Sequence, residues 1–168
     1  MNLKYPYTKQ NILKKDIDKV VKSLKADFIT QGKQIELFEK ELCKVFECKY
    51  AVVVNSGTAA LHIAYKVLDI KNGDNVITSP VTFLSTASAA SLLGANIHFV
   101  DVNKITGLMS LSSLKEKLNN FIKPIKVITP VHLAGKAVDM AAVYKEAKKK
   151  NIKILEDASH APLAEYSD

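Results

Sequence analysis

From residue 50 onward the chain alternates short β-branched apolar runs with stretches of helical periodicity, and no other feature limits its fold so strongly. The runs at 50–54, 75–79, 96–100, 126–129 and 152–156 read as strands. The stretches at 58–68, 82–93, 112–118 and 139–149 read as helices. Breakers stand between them: Lys71-Asn72-Gly73-Asp74, Gly94, and Pro80 and Pro130 just past two strands. Units of this size predict a mainly parallel sheet with helices on its faces, an α/β fold. Ahead of them, residues 12–26 put Ile12, Ile17, Val20, Val21 and Leu24 on one stripe, and residues 35–46 do so with Ile35, Phe38, Leu42 and Phe46. The expected organisation is a helical segment over 1–49 and an α/β domain over 50–168. Val76-Ile77-Thr78-Ser79-Pro80 echoes Val127-Ile128-Thr129-Pro130, which reads as two buried strands whose pairing stops at a proline. Residues 103–113 are the longest irregular stretch and read as a surface loop.

Charge narrows the partners. The net charge is +7, yet all 24 basic residues are lysines and none is arginine. Arginine is the residue suited to bidentate phosphate and base contacts, so a solvated lysine surface is expected and not a nucleic-acid face. Cys43 and Cys48 match no common zinc spacing, and Cys43 falls on the apolar side of a helix. The first ten residues lack an apolar core of the secretory kind, and no apolar stretch approaches membrane length. A soluble, reduced, cytoplasmic protein with no metal site is expected.

In open α/β sheets ligands gather at the carboxyl ends of strands. Asn55-Ser56-Gly57-Thr58-Ala59-Ala60 follows the first run, with a glycine for close backbone approach and a helix start whose free N–H groups face an anion. A plain serine or threonine helix cap explains the same residues. Neither the dinucleotide fingerprint nor the nucleotide-hydrolase phosphate loop is present. Glu156-Asp157-Ala158-Ser159-His160 follows the last run. Asp157 there is either a cap, an ion-pair member, a metal ligand for which His160 is one further candidate, or the partner of a cationic ring nitrogen, whose proton it would retain. Phe83 follows another strand end, where an aromatic either packs in the core or lies against a flat ligand. His62 and His98 read as structural. His132 sits past Pro130, within reach of the rim of a site.

Taken in order, Phe28-Ile29-Thr30-Gln31-Gly32, Phe38-Glu39-Lys40, residues 54–61, residues 76–83, residues 129–135 and residues 156–161 resemble the sugar-nucleotide aminotransferases of the DegT/DnrJ/EryC1/StrS family. The resemblance runs over nearly the whole chain. It implies an incomplete large domain of the aspartate aminotransferase-like fold, pyridoxal 5′-phosphate (PLP) as cofactor, and a homodimer with sites at the subunit interface. It implies further that Ser56, Gly57, Thr58, Phe83, Asp157 and His160 bind the cofactor. Gly57 and Thr58 would take its phosphate, Phe83 cover the ring, Asp157 pair with the ring nitrogen and His160 lie by the phenolic oxygen. Tyr7, Asp27, Phe28, Ile29, Thr30 and Gly57 would line the side of the sugar nucleotide. Leu133-Ala134-Gly135-Lys136 and Asp157-Ala158-Ser159-His160 look closest to the branch acting in pseudaminic acid synthesis. That branch moves an amino group from glutamate onto C4 of a UDP-linked 4-keto-6-deoxy-N-acetylhexosamine.

The family's Schiff-base lysine follows the acidic strand end, and no lysine occupies that place before Asp168. Lys136, in a loop, and Lys153, within a strand, do not match it. The expectation is a fragment that is inactive alone, poorly soluble and left with an unpaired sheet edge. The alternative function is a non-catalytic binding or dimerisation module derived from such an enzyme. An unrelated nucleotide-binding oxidoreductase domain is disfavoured by the missing glycine fingerprint.

Overall fold

The computed structural model describes residues 9–165. Tyr7 therefore lies outside the described residues. The chain divides into two compact units, one ending at Val53 and the other starting at Val54.

The first unit holds α1 (Lys14–Leu24) and α2 (Lys33–Val45). Asp16 accepts the Leu13 amide at 2.8 Å, giving one of the free N-terminal donors of α1 a partner. The apolar stripes form as the period requires, yet no residue of either helix is buried. Cys43 is half-buried and Cys48 exposed, so Cys43 is only partly the core residue expected. Residues 51–54 form no strand. Their side chains have strand character, but a strand exists only with a partner ladder, and none pairs with them among the described residues.

In the second unit, helices α3 (Gly57–Val67), α4 (Ser85–Ser91), α5 (Leu111–Asn120) and α6 (Met140–Lys149) alternate with strands β1 (Asn75–Thr78), β2 (Asn96–Phe99), β3 (Ile125–Thr129) and β4 (Lys153–Ile154). All three pairings are parallel, in the order β2-β1-β3-β4. Alternation along the strands builds two cores from one sheet. Ile77 and Ile128 join Leu114, Leu118, Val138 and Val143 on the α5–α6 side. Val76 and Val127 join Leu61, Tyr65, Ala89 and Ala90 on the α3–α4 side. Burial on both faces is why β1 is apolar or polar-satisfied at every position.

Three further expectations need correction. Helical structure over 82–93 is regular only at Ser85–Ser91, because residues 79–84 make the turn that leaves β1. The 103–113 loop is not all surface. A bridge from Val102 to Met109 folds it back so that Leu108 and Met109 enter the core. Pro130 does not end pairing either. It lacks only the N–H, and its carbonyl accepts the Asp157 amide at 3.0 Å, so β3 continues to a bridge between Val131 and Asp157.

Strand order reverses between β1 and β3: the chain steps from β1 to β2 on one side, then returns to add β3 on the other. The carboxyl ends beside that reversal are where an open sheet leaves a crevice.

Candidate functional site

A cavity of about 360 Å³ opens at that place, lined by residues that follow β1, β3 and β4 and by the start of α3. Ser56, Gly57, Thr58, Phe83, Asp157 and His160 all face it, together with Leu61, Thr82, Ser85, Thr86, Val131 and Ser159. The first six are the residues the resemblance implied for the cofactor.

The anionic end is the first turn of α3. Ser56 is its N-cap and takes the Ala59 amide at 3.2 Å, so the helix-cap reading of this residue is correct as far as it goes. The amides of Gly57 and Thr58 precede the first possible intrahelical acceptor, and they border the cavity. A Cβ at Gly57 would stand 3.6 Å from Ser159 Oγ, an ordinary contact distance, so the helix start and the turn after β4 lie close together at the cavity wall. Thr58 Oγ1 and Ser85 Oγ share a hydrogen bond at 2.6 Å, which fixes the threonine on the cavity wall. Backbone donors, hydroxyls and the positive end of an 11-residue helix make this a place for a phosphate.

The opposite wall is Asp157, only 5% exposed. Oδ1 accepts from Ser159 Oγ at 2.6 Å and from the Ser159 amide at 3.2 Å. Oδ2 accepts from Thr86 Oγ1 at 2.6 Å. A carboxylate offers about four lone-pair sites, so Oδ2 retains one for a further donor. No lysine or histidine pairs with Asp157 among the described residues. A buried carboxylate held by neutral donors alone, two hydroxyls and one amide, is costly as an anion, and a cationic N–H in the cavity offsets that cost.

Beneath the carboxylate the hydroxyls form an ordered chain. Tyr65 Oη donates its single proton to the Thr86 carbonyl at 2.8 Å, so Thr129 Oγ1 must donate to Tyr65 at 2.7 Å. Thr86 Oγ1 is committed to Asp157, so Thr82 Oγ1 donates to Thr86 at 2.8 Å. Burial raises the Tyr65 phenol to about 12, opposed by its bond to Thr129 and aided by the charge of Asp157. Tyr65 therefore stays a donor under Asp157 at any working pH.

Phe83 is 71% exposed, so it is not a core residue, and His160 is exposed on the rim. His132 does not reach the cavity. It is buried behind the strand end, where the Val138 amide donates to Nδ1 at 3.1 Å and Nε2 meets Glu156 Oε2 at 3.0 Å. His98 is structural, bonded to Asn75 at 2.9 Å and set edge-on to Phe121. Within residues 9–53, Phe28 and Ile29 line a groove with Val21 and Ile35, while Asp27 and Thr30 are exposed and do not line it. Sequence reading missed Thr86, Ser159 and Tyr65. A threonine pair at i, i+4, Thr82 and Thr86, was the visible signal for the first. No group of three metal-ligating side chains, and no helix long and apolar enough to cross a membrane, occurs among the described residues.

Comparisons with known proteins identify the family. The profile of the DegT/DnrJ/EryC1/StrS aminotransferase family matches residues 10–168. A Campylobacter jejuni UDP-4-amino-4,6-dideoxy-N-acetyl-beta-L-altrosamine transaminase is 41% identical over 95% of this chain and 42% of its own length. The solved Helicobacter pylori aminotransferase involved in pseudaminic acid biosynthesis superposes with a TM-score of 0.89 at 32% identity, over 98% of this chain and 44% of that one. A Streptococcus pneumoniae protein described as a sugar aminotransferase, solved in its PLP form, gives a TM-score of 0.85 at 28% identity, over 94% of this chain and 43% of that one. The chain thus spans less than half the length of the relatives it matches. Such a match in sequence and fold settles the family: this chain belongs to the DegT/DnrJ/EryC1/StrS aminotransferases, whose cofactor is pyridoxal phosphate.

Proposed function

We propose that the chain is the N-terminal, cofactor-cradling portion of an aminotransferase acting on nucleotide-linked sugars. In this reading the enzyme moves an amino group from an amino acid, with glutamate as donor, to C4 of a UDP-linked 4-keto-6-deoxy sugar bound for glycan synthesis. The relatives named above support the substrate class. One observation carries the reading: a phosphate cradle and a buried carboxylate with a spare acceptor site face each other across one cavity.

The residues present fit PLP. When bound it supplies an electron sink for the pair released as a proton leaves the amine-bearing carbon. Gly57 and Thr58 hold the phosphate with amides and hydroxyl, and Phe83 covers a ring face. Asp157 accepts the ring N–H and keeps that proton in place, and His160 stands at the phenolic oxygen. Gly57 also serves the sugar nucleotide, and Tyr7, Asp27, Phe28, Ile29 and Thr30 are the residues of the first unit assigned to that substrate. The working assembly is a homodimer, and the free cysteines suit a reducing cytoplasm.

No lysine lines the cavity among the described residues, so these residues hold PLP without a covalent bond. Titrating PLP into the chain and following absorbance tests this. Asp157→Asn should weaken uptake about 10- to 100-fold, the worth of a charged hydrogen bond. Equal affinity in the variant would overturn the site. Borohydride-stable attachment, or amino transfer to a UDP-4-keto sugar by the chain itself, would overturn non-covalent binding.

A further inference from the structure

The carboxylate of Asp157 is steadied by Thr86 and Ser159, but its backbone has a different support. β4 is only two residues long and ends at Ile154. Beyond it the strand end carrying Asp157 is tied to its neighbour by a few bonds: Leu155 amide to Ile128 carbonyl, Asp157 amide to Pro130 carbonyl, and His132 amide to Asp157 carbonyl, each at 3.0 Å. A ladder this short frays readily unless side chains reinforce it.

His132, Glu156 and Tyr144 supply that reinforcement on the face away from the cavity. The Val138 amide can only donate, so Nδ1 of His132 is the acceptor and Nε2 carries the proton. Nε2–H therefore donates to Glu156 Oε2 at 3.0 Å. The other oxygen of Glu156 accepts from Tyr144 Oη at 2.9 Å, which binds the strand end to α6. Glu156 immediately precedes Asp157, and His132 is itself the residue whose amide bonds to Asp157. One buried ring thus grips the Asp157 segment twice, by its backbone and by its side chain, while standing outside the cavity.

We propose that His132 is a positioning residue, which sets the place and direction of the Asp157 carboxylate through Glu156 and the paired backbone. The inference rests on the cofactor reading of Asp157 given above. Alternation along an extended segment explains the division of labour: Asp157 points to the ligand, Glu156 to the anchor.

Two substitutions separate the halves of the ring. His132→Asn keeps an acceptor for the Val138 amide and loses the donor to Glu156. His132→Gln reaches Glu156 and loses the acceptor. His132→Asn should speed exchange of the Asp157 amide and weaken PLP uptake by the chain about 3- to 10-fold, the worth of one net hydrogen bond. It should also move the ring-nitrogen signal of ¹⁵N-labelled PLP toward its unprotonated position, and His132→Gln should restore most of both effects. Glu156→Ala removes the same bond from an exposed position, so it keeps the test alive should the buried substitution fail to fold. If Asp157→Asn weakens PLP uptake while His132→Asn and Glu156→Ala change neither exchange nor affinity, the positioning role is overturned. If Asp157→Asn itself has no effect, the cofactor reading falls, and exchange at Asp157 still decides whether His132 holds the segment.

Discussion

Residues 9–53 and 54–165 obey the same patterning rules with opposite results. In α1 and α2 the apolar period is clear, yet Ile17 and Val20 are more than half exposed. In the second unit a strand such as β1 is buried at all four positions and feeds two cores. Period identifies the face of an element that seeks cover. It does not say what covers it. The parallel sheet contains its own answer, because each strand brings a helix that returns across it. The first unit has no sheet among its described residues, and two short amphipathic helices cannot hide two stripes from water.

The largest effects should separate the two units most plainly. Ile77→Ala opens a gap in a fully buried strand position and should cost about 2–5 kcal/mol in denaturant unfolding. Ile17→Ala, at a side chain 54% exposed, should stay within about 0.5 kcal/mol. A large loss at Ile17 would break the contrast and show that its stripe is covered in solution.

Next comes alkaline pH. Burial raises Tyr65 to about 12, above its ordinary value of about 10. Between those values the native state keeps a proton that the unfolded chain has released, so stability falls as pH rises. The contribution, of order 2–3 kcal/mol, is complete below pH 10 and gone above 12. Tyr65→Phe should flatten that decline in melts followed from pH 9 to 12. An unchanged slope would place the titration elsewhere. At acid pH the sign is the reverse for His98, which burial, then Lys117 and Lys123, hold below the ordinary histidine range. Its contribution is present above that range and lost as pH falls through its lowered value.

The smallest effect tests the helix start. Ser56→Ala removes the α3 cap and should cost about 1 kcal/mol while leaving the backbone amides of Gly57 and Thr58 to bind phosphate. A loss of phosphate-bearing ligands far beyond that would give Ser56 a direct role.

What the sequence showed and what it withheld follow from the range of the forces involved. Helices and most strands are local periodicities, so α2, α3, α5, α6, β1 and β3 appear within a few residues of their expected places. Residues 51–54 have the composition of a strand, but a strand is a relation between two segments, and composition carries only one side of it. The site divides in the same way. Gly57, Thr58 and Asp157 stand at turns where backbone geometry leaves a mark on the sequence. Thr86 and Tyr65 act because tertiary packing brings them under a carboxylate distant in sequence; the Thr82 and Thr86 spacing hints at the first, and a tyrosine in a helix announces nothing of the second. His132 was legible as a strand-end histidine, yet only the fold shows that it faces away from the cavity.

The account depends on one ligand touching both walls at once. Amide chemical shifts recorded while PLP is added to the ¹⁵N-labelled chain test this directly. Gly57 and Thr58 on one side and Asp157 and Ser159 on the other should shift together along a single saturation curve. Shifts confined to one strand end, or two ends saturating at different concentrations, would contradict a shared pocket.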